Sequence, residues 1–498
     1  MRRSAALPEL LIRERLGFDG PLLFFDHHLA HAASAFFYSG WDSAAVLTVD
    51  GVGEWATTTY GLGQGAGLNI VEEVRFPHSL GLFYATLTAF LGFQVNSDEY
   101  KVMGLAAYGQ PRYADRLWRV VEDPPAAVHA GYGVLRLCGW QDDVQSCAGR
   151  PAGPSAGSLA HQSRDFTRIW RPASSGCWRR CCCARCVACT SKPASADCAW
   201  PAAWRSTASP TAASAARGRS TTSSFSQRRA IPAAALAQPR WRTQLAGDPP
   251  FGAMTHAYWG PRFSCDDVAR LVLATGAVAQ DYRDSEPALL EAVVDRLVAG
   301  HIVGWFSGRM EFGPRALGAR SILADPRDPG MRDRLNRLVK QREPFRPFAP
   351  AVLAEHASAH FDLSHPSPFM LETCAVRSPL DLPAITHVDH SARPQTVDAA
   401  TQPRFAALIE AFYLRTGCPM LLNTSFNQAG EPIVCTPVDA LFCFVNAGLD
   451  VLVLEDWLFD RAAMPANWPD LAADWNRDLP ALAGAPSSPL GENLYTFV

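Results

Sequence analysis

The chain has 498 residues, 48% hydrophobic and 19% charged, with a formal net charge of −3. That length leaves room for two or three domains, and the near-neutral balance excludes a general electrostatic pull toward nucleic acid or an anionic membrane. No apolar run approaches the roughly 20 residues needed to span a bilayer, and no long apolar region follows the first arginines, so a cytoplasmic enzyme or binding protein is expected.

The opening MRRSAALPELLIRERLG reads as an amphipathic helix start, and Pro21–Phe25 as a short buried strand. DHHLAHAASAFFYSG follows as an Ala-rich helix on which His27 and His31, four apart, share a face and can share a metal. His28 points elsewhere. Ala44–Val49 reads as a buried strand that runs into Asp50-Gly51-Val52-Gly53. A carboxylate at a strand's C-terminal end, followed by glycine, is where α/β proteins hold metals and phosphates. Two His and one Asp would suit iron, manganese or zinc, whereas a capped helix beside an ordinary strand turn would need no ion.

Thr57–Tyr60 and Leu68–Val74 alternate around GLGQGAG as a hairpin. Ser79–Phe93 reads as a buried helix. In SDEYKVMGLAAYG, Lys101 precedes Gly104 and Gly109, either as a site for nucleotide phosphates or as a lysine among structural glycines.

Between 151 and 246 the chain loses the pattern of a protein core. No Leu lies between Leu159 and Leu236, no Glu between Asp123 and Ser285, and seven of the fourteen cysteines fall from Cys177 to Cys198. Cys183, Cys186 and Cys189 have the spacing of metal ligands, but apolar periodicity is missing, so no fold is expected to hold them. A displaced reading frame explains the composition: WPAAWRSTASPTAAS back-translates so that another frame reads LAGGLALNSVANGRI. Such a segment is expected to pack poorly.

Order returns near Met254. Ser285–Ala299 reads as an amphipathic helix, His301–Phe306 and Arg320–Ala324 as strands, and Pro329–Lys340 as a helix. Around them, from Glu311 to Pro350, lie EFGPRALGARSILADPR and KQREPFRPFAP. Arg315, Arg320, Arg327, Lys340, Arg342 and Arg346 stand there, with Arg309 just before them, among glycines and prolines. Arg forks match the oxygens of carboxylate and phosphate, so a pocket for a small anion is expected in preference to a solvated surface. Phe348–Leu353 and Ala354–Phe361 continue the alternation of strand and helix. HSARPQTV brings Arg393, and PMLLNTSFNQAGEPIV ends a strand at Asn423-Thr424-Ser425, whose amide and hydroxyl can bond an anion or a carbamoyl group. Pro437–Ala447 reads as a helix and Asp450–Leu454 as the closing strand.

Taken together, DHHLAHAASAF, TVDGVGEW, SDEYKVMGLAAYG, GWFSGRMEFGPRALGARSILADPR, KQREPFRPFAP, SARPQTV and LNTSFNQAGEPIV resemble the ATP-dependent O-carbamoyltransferases, which include the nodulation-factor, cephamycin and aminoglycoside carbamoyltransferases. The resemblance covers about residues 20–125 and 250–460, and it implies an α/β protein. Residues 1–150 would form an actin-like (ribonuclease-H-like) carbamoyl-transfer domain, truncated at its start. Residues 151–246 would be the aberrant segment, 247–284 the end of that domain and a linker, and 466–498 a tail. Residues 285–465 would form a domain like the threonylcarbamoyl-adenylate synthase, making carbamoyl-adenylate from carbamoyl phosphate and from ATP with Mg2+. The carbamoyl group would then pass to a hydroxyl of a sugar or natural product. The resemblance implies metal ligands at His27, His31 and Asp50, for Fe2+ or another divalent metal. It implies carbamoyl-phosphate and ATP contacts at Arg315, Lys340, Arg346, Arg393, Asn423 and Ser425.

Two features depart from the family. Its opening strand and phosphate turn, with a further functional His, would lie ahead of residue 1, and its fourth metal ligand, an Asp, would lie near Ile231 in the displaced frame. The alternatives are therefore a working transferase and a transfer-inactive relative that retains only nucleotide and carbamoyl-phosphate binding. A metal-binding regulatory protein built on the Cys-rich segment is a third. The acceptor and the oligomeric state are not written in the sequence.

Overall fold

A computed structural model describes residues 25–114 and 253–464 continuously, scattered positions in 10–24 and 116–117, and the backbone of four short strands between 121 and 225. The expected strand at Pro21–Phe25, the Cys-rich run and the position near Ile231 lie outside the described residues, apart from Phe25, which is not in a strand, and Cys198, whose backbone opens a short strand.

The N-terminal unit is a five-stranded sheet with helices against it. Helix α1 (His27–Phe36) is half alanine on its buried face, so its backbone can lie close to the sheet. Strands β1 (Ser43–Gly53), β2 (Ala56–Gln64) and β3 (Gly67–Arg75) form an antiparallel meander. Gly63 allows this approach: a Cβ there would stand 2.5 Å from Phe36. Helices α2 (Leu80–Phe90) and α3 (Glu99–Ala106) follow, α2 starting where the Ser79 hydroxyl accepts the Leu82 N–H. Two three-residue strands, β4 (Cys198–Trp200) and β5 (Ser223–Phe225), extend the sheet in parallel on the far side of β1. The order is thus β3-β2-β1-β4-β5.

The C-terminal unit is an eight-stranded mixed sheet. Its first elements are helix α4 (Cys265–Thr275), edge strand β6 (Gln280–Asp281), helix α5 (Glu286–Val298) and strands β7 (Val303–Phe306) and β8 (Arg320–Ala324). A short helix, α6 (Met331–Arg334), runs into a π turn at Leu335–Val339. Then come β9 (Ala349–Leu353), β10 (Gln395–Val397), α7 (Pro403–Thr416), β11 (Met420–Ser425), α8 (Pro437–Ala447), β12 (Val451–Leu454) and β13 (Trp457–Asp460). The sheet runs β10-β9-β11-β8-β7-β12-β13-β6.

Local chemistry explains the helix limits. Ser285 caps α5 with Pro287 in its first turn, and Thr436 and Asp439 form a reciprocal capping box on α8, which ends at Gly448 with φ +66°. On α5 the buried residues Leu289, Leu290, Val293, Val294 and Leu297 recur at helical spacing and face the sheet, each contributing roughly 1.5–3 kcal/mol on burial. Phe263, Val268 and Leu271 share that core, so the packed unit begins upstream of residue 285. Asp450–Leu454 does not close the sheet as periodicity suggested: β13 folds back on it, and β6 pairs with β13. Among the described residues no helix is long and apolar enough to cross a membrane.

Candidate functional site

Two clusters emerge, one in each unit. In the first, α1 begins at His27, so its first turns aim His27 and His31 at the end of β1. His27 Nε2 lies 2.6 Å and His31 Nε2 3.2 Å from Asp50 Oδ2, and the two nitrogens are 3.0 Å apart. Asp50 Oδ1 accepts the Gly51 N–H, leaving Oδ2 for the histidines. The Ser79 hydroxyl donates to the Asp50 and Gly51 carbonyls and ties this strand end to α2. Gly53 is needed for closeness, since a Cβ there would lie 2.3 Å from the His27 ring. Burial raises the Asp50 carboxyl, but hydrogen bonds from His27 and His31 outweigh it and hold the group well below the usual carboxylate range.

The donor chemistry fits a metal. Two imidazole nitrogens 3.0 Å apart cannot both present lone pairs to one another without a proton or cation between them. These three atoms lie within 4.8 Å of one another. Two His and one carboxylate form the set that suits a divalent iron with open positions. His28 is separate, as expected: it lies between Thr48 Oγ1 and the Ala56 carbonyl, and burial lowers it to about 4.

The second cluster surrounds the turn after the π turn. Lys340 Nζ donates to the carbonyls of Ser425 and Asn427 (2.5 and 2.9 Å) and lies 3.2 Å from Ser425 Oγ and 2.7 Å from Asn427 Oδ1. Ser425 Oγ donates to Asn427 Oδ1. Two residues back on β11, Asn423 Nδ2 donates to the Ala316 carbonyl and to Gln395 Oε1, and Gln395 Nε2 donates to the Leu317 carbonyl. Arg315 stands next to Ala316 on this loop, half-buried. Glu311 folds the loop, its Oε1 accepting the N–H groups of Leu317, Ala319 and Arg320.

The cations of this turn repel one another. Burial, then the charges of Arg342 and Arg346, pull Lys340 down to about 7. Burial and Arg346 pull Arg342 down to about 9 and Arg393 to about 10. Four buried polar atoms here have no hydrogen-bond partner: Glu311 Oε2, Glu343 Oε2, Arg393 Nε and Asn423 Oδ1. The orientation of Asn423 is set by the two carbonyl oxygens that its Nδ2 serves.

Of the expected site residues, the structure joins His27, His31 and Asp50 directly, and Lys340 with Ser425. It groups Lys340, Arg346 and Arg393 by charge, ties Asn423 through Gln395 to the strand after Arg393, and brings Arg315 in through its loop. Other cations of the basic stretch serve elsewhere. Arg320 is fully buried in β8, lies 3.4 Å from the Phe306 ring centroid and donates to the Gly308 and Ala319 carbonyls. Arg327 pairs with Asp325 at 2.6 Å, and Arg309 donates to the Gly260 carbonyl. Lys101 is no phosphate-loop lysine: it lies on α3 between Asp98 (3.0 Å) and Glu343 (3.1 Å). Sequence reasoning assigned no role to Glu311, Gln395 or Asn427, and it placed Arg342 only among the cations of the expected anion pocket. Only Asn427 carried a local signal, being two residues beyond Ser425 and three before Gly430.

Comparisons with known proteins agree with this layout. The family pattern Carbamoyltransferase N-terminus matches residues 6–138, and Carbamoyltransferase C-terminus matches residues 294–461. The protein sll1178 of Synechocystis sp. is 38% identical across 90% of this chain and 78% of its own length. Nodulation protein NolO of Bradyrhizobium diazoefficiens is 35% identical across 90% and 81%. The 3'-hydroxymethylcephem-O-carbamoyltransferase of Amycolatopsis lactamdurans is 39% identical, over 36% of this chain and 34% of its own. A solved structure of full-length HypF, phosphate- and nucleotide-bound, overlays 34% of this chain on 25% of its own, with 19% identity and a TM-score of 0.25, too limited an overlap to bear on the fold. Matched in both its units and along most of its length, the chain belongs to the carbamoyltransferase family.

Proposed function

We propose that this protein is an O-carbamoyltransferase with two sites, adenylate formation in the C-terminal unit and transfer in the N-terminal one. Carbamoyl phosphate, ATP (with Mg2+) and water would give carbamoyl-adenylate, phosphate and pyrophosphate. A hydroxyl of a sugar or natural-product acceptor would then take the carbamoyl group and release AMP.

The observation that carries this reading is the pairing of opposite needs in the second cluster. Arg342, Arg346 and Arg393 crowd together with one buried guanidinium N–H unpartnered, while Asn423 Oδ1, on β11, lacks a donor. A ligand that answers both must be anionic and must also carry N–H groups, as carbamoyl phosphate does. Its phosphate would lie on Arg346 and Arg393, where developing charge is neutralised without reorganisation, and its amide on Asn423. Lys340, whose protons already serve protein acceptors, would add charge while holding the Ser425–Asn427 turn in shape.

In the N-terminal unit the strand order with β1 antiparallel to β2 and parallel to β4 supports an actin-like reading. A divalent metal, iron in this reading, would be held by His27, His31 and Asp50 and would supply Lewis-acid polarisation of the carbamoyl carbonyl. Asp50 stays ionised there, and Gly51 and Ser79 fix its orientation.

The test is ATP consumption by the full chain with and without carbamoyl phosphate. Consumption dependent on carbamoyl phosphate, lost in Arg346→Ala and in Lys340→Ala, is expected. Turnover unchanged by both substitutions would show that this cluster is not the site.

A further inference from the structure

The C-terminal cation cluster is not closed by its own unit. Helix α3, from the N-terminal unit, lies against the turn that carries Arg342, Glu343 and Arg346. The Arg346 guanidinium stands 4.5 Å from the centroid of the Tyr100 ring. Lys101 Nζ is 3.1 Å from Glu343 Oε1, and Glu343 Oε2 is 3.7 Å from Arg346 Nη1. Further along α3, the Gly104 carbonyl accepts from His387 Nε2 at 2.8 Å, and just past the helix Tyr108 packs T-shaped against that imidazole. A Cβ on Gly104 would come within 3.7 Å of Pro347.

Each contact bears on Arg346. Its charge is useful to an anion only if Glu343, the neighbouring carboxylate, does not neutralise it. Lys101 supplies Glu343 with another partner, and the hydrogen bonds and charge of Asp98 and Glu343 outweigh burial to raise the Lys101 ammonium above its ordinary value, so it stays charged. The Arg346 guanidinium carbon lies over the Tyr100 ring, and a preordered fork loses less freedom when it binds an oxyanion.

We infer that Tyr100 and Lys101 are positioning residues of the anion site, the ring orienting Arg346 and the ammonium drawing Glu343 away from it. The C-terminal unit thereby binds its phosphate-bearing ligand fully only with α3 seated. This rests on the reading above, that the cluster takes carbamoyl phosphate.

Carbamoyl-phosphate binding to the full-length chain, measured by calorimetry, tests it. Tyr100→Leu is expected to weaken binding about tenfold, the scale of a partly desolvated cation–ring contact, whereas Tyr100→Phe retains the ring and the affinity. Lys101→Met should weaken binding similarly, and Lys101→Met with Glu343→Gln should recover most of the loss, because the competing carboxylate is gone. Simple packing between the units predicts no such recovery. Wild-type binding with Tyr100→Leu and Lys101→Met both within twofold of it, or a double variant no better than Lys101→Met, would overturn the inference. If the wild-type chain itself binds no carbamoyl phosphate, the functional reading fails, and this inference with it.

Discussion

Replacing Lys340 with methionine retains most of the aliphatic stem and removes only the ammonium. In the folded chain that ammonium has three protons and four oxygen neighbours on Ser425 and Asn427. Its loss strands two backbone carbonyls, each costing about 1–3 kcal/mol when buried and unpaired. Relief of an ammonium buried beside Arg342 and Arg346 offsets part of this, so a net loss of about 2–4 kcal/mol is expected. Urea unfolding of the full chain, followed by far-ultraviolet circular dichroism at two pH values, measures it. The sign of the pH effect follows from linkage. Lys340 titrates near 7 when folded and near 10.5 when unfolded, so between those values the unfolded chain holds more protons. Its contribution to stability is full above about 10.5 and is lost as pH falls toward 7. The gap between wild type and Lys340→Met should therefore be larger at pH 9 than at pH 6.5. A variant as stable as wild type at both values would refute the reasoning and leave Lys340 as a charge held for ligand alone.

Asp50→Asn should lower the affinity for Fe2+ or Mn2+ at least tenfold, read by metal content after dialysis, because it removes the only carboxylate of the three-atom set. Gly53→Ala should lower metal affinity 10- to 100-fold and stability by about 1–3 kcal/mol, since the new Cβ meets His27 at 2.3 Å; equal metal content at limiting metal would count against it. Arg393→Met should abolish carbamoyl-phosphate binding yet leave the empty protein as stable or more so, since it removes a crowded cation, and a melting curve compared with a calorimetric titration checks both halves. Carbamoyl-phosphate affinity should fall as pH rises through about 7, where Lys340 loses its proton, and should stay flat over that range in Lys340→Arg.

The share of this protein that its sequence determined is the share written at short range. His27 and His31 share a face because they are four apart on a helix, Asp50 lies near the end of β1, which closes at Gly53, and α5 starts after Ser285 because a hydroxyl can cap it. Asn423 and Ser425 point the same way because they are two apart on β11. Arg320–Ala324 and Pro437–Ala447 have the bounds that periodicity implied.

Tertiary structure alone decided which cations gather beside Lys340. Arg320 stands in the same basic stretch as Arg342 and Arg346, with nothing in local spacing to separate it from them, whereas Asp325 lies two residues before Arg327. The packing of β8 buries Arg320 on Phe306, and Asp325 engages Arg327. The turn before β9 leaves Arg346 facing Tyr100, from a helix some 240 residues away in sequence. His387 reaches the Gly104 carbonyl across a separation of 283 residues. Such contacts depend on strand order and on how one unit sits against the other. Side-chain period reports which face of an element is buried, not which distant element buries it.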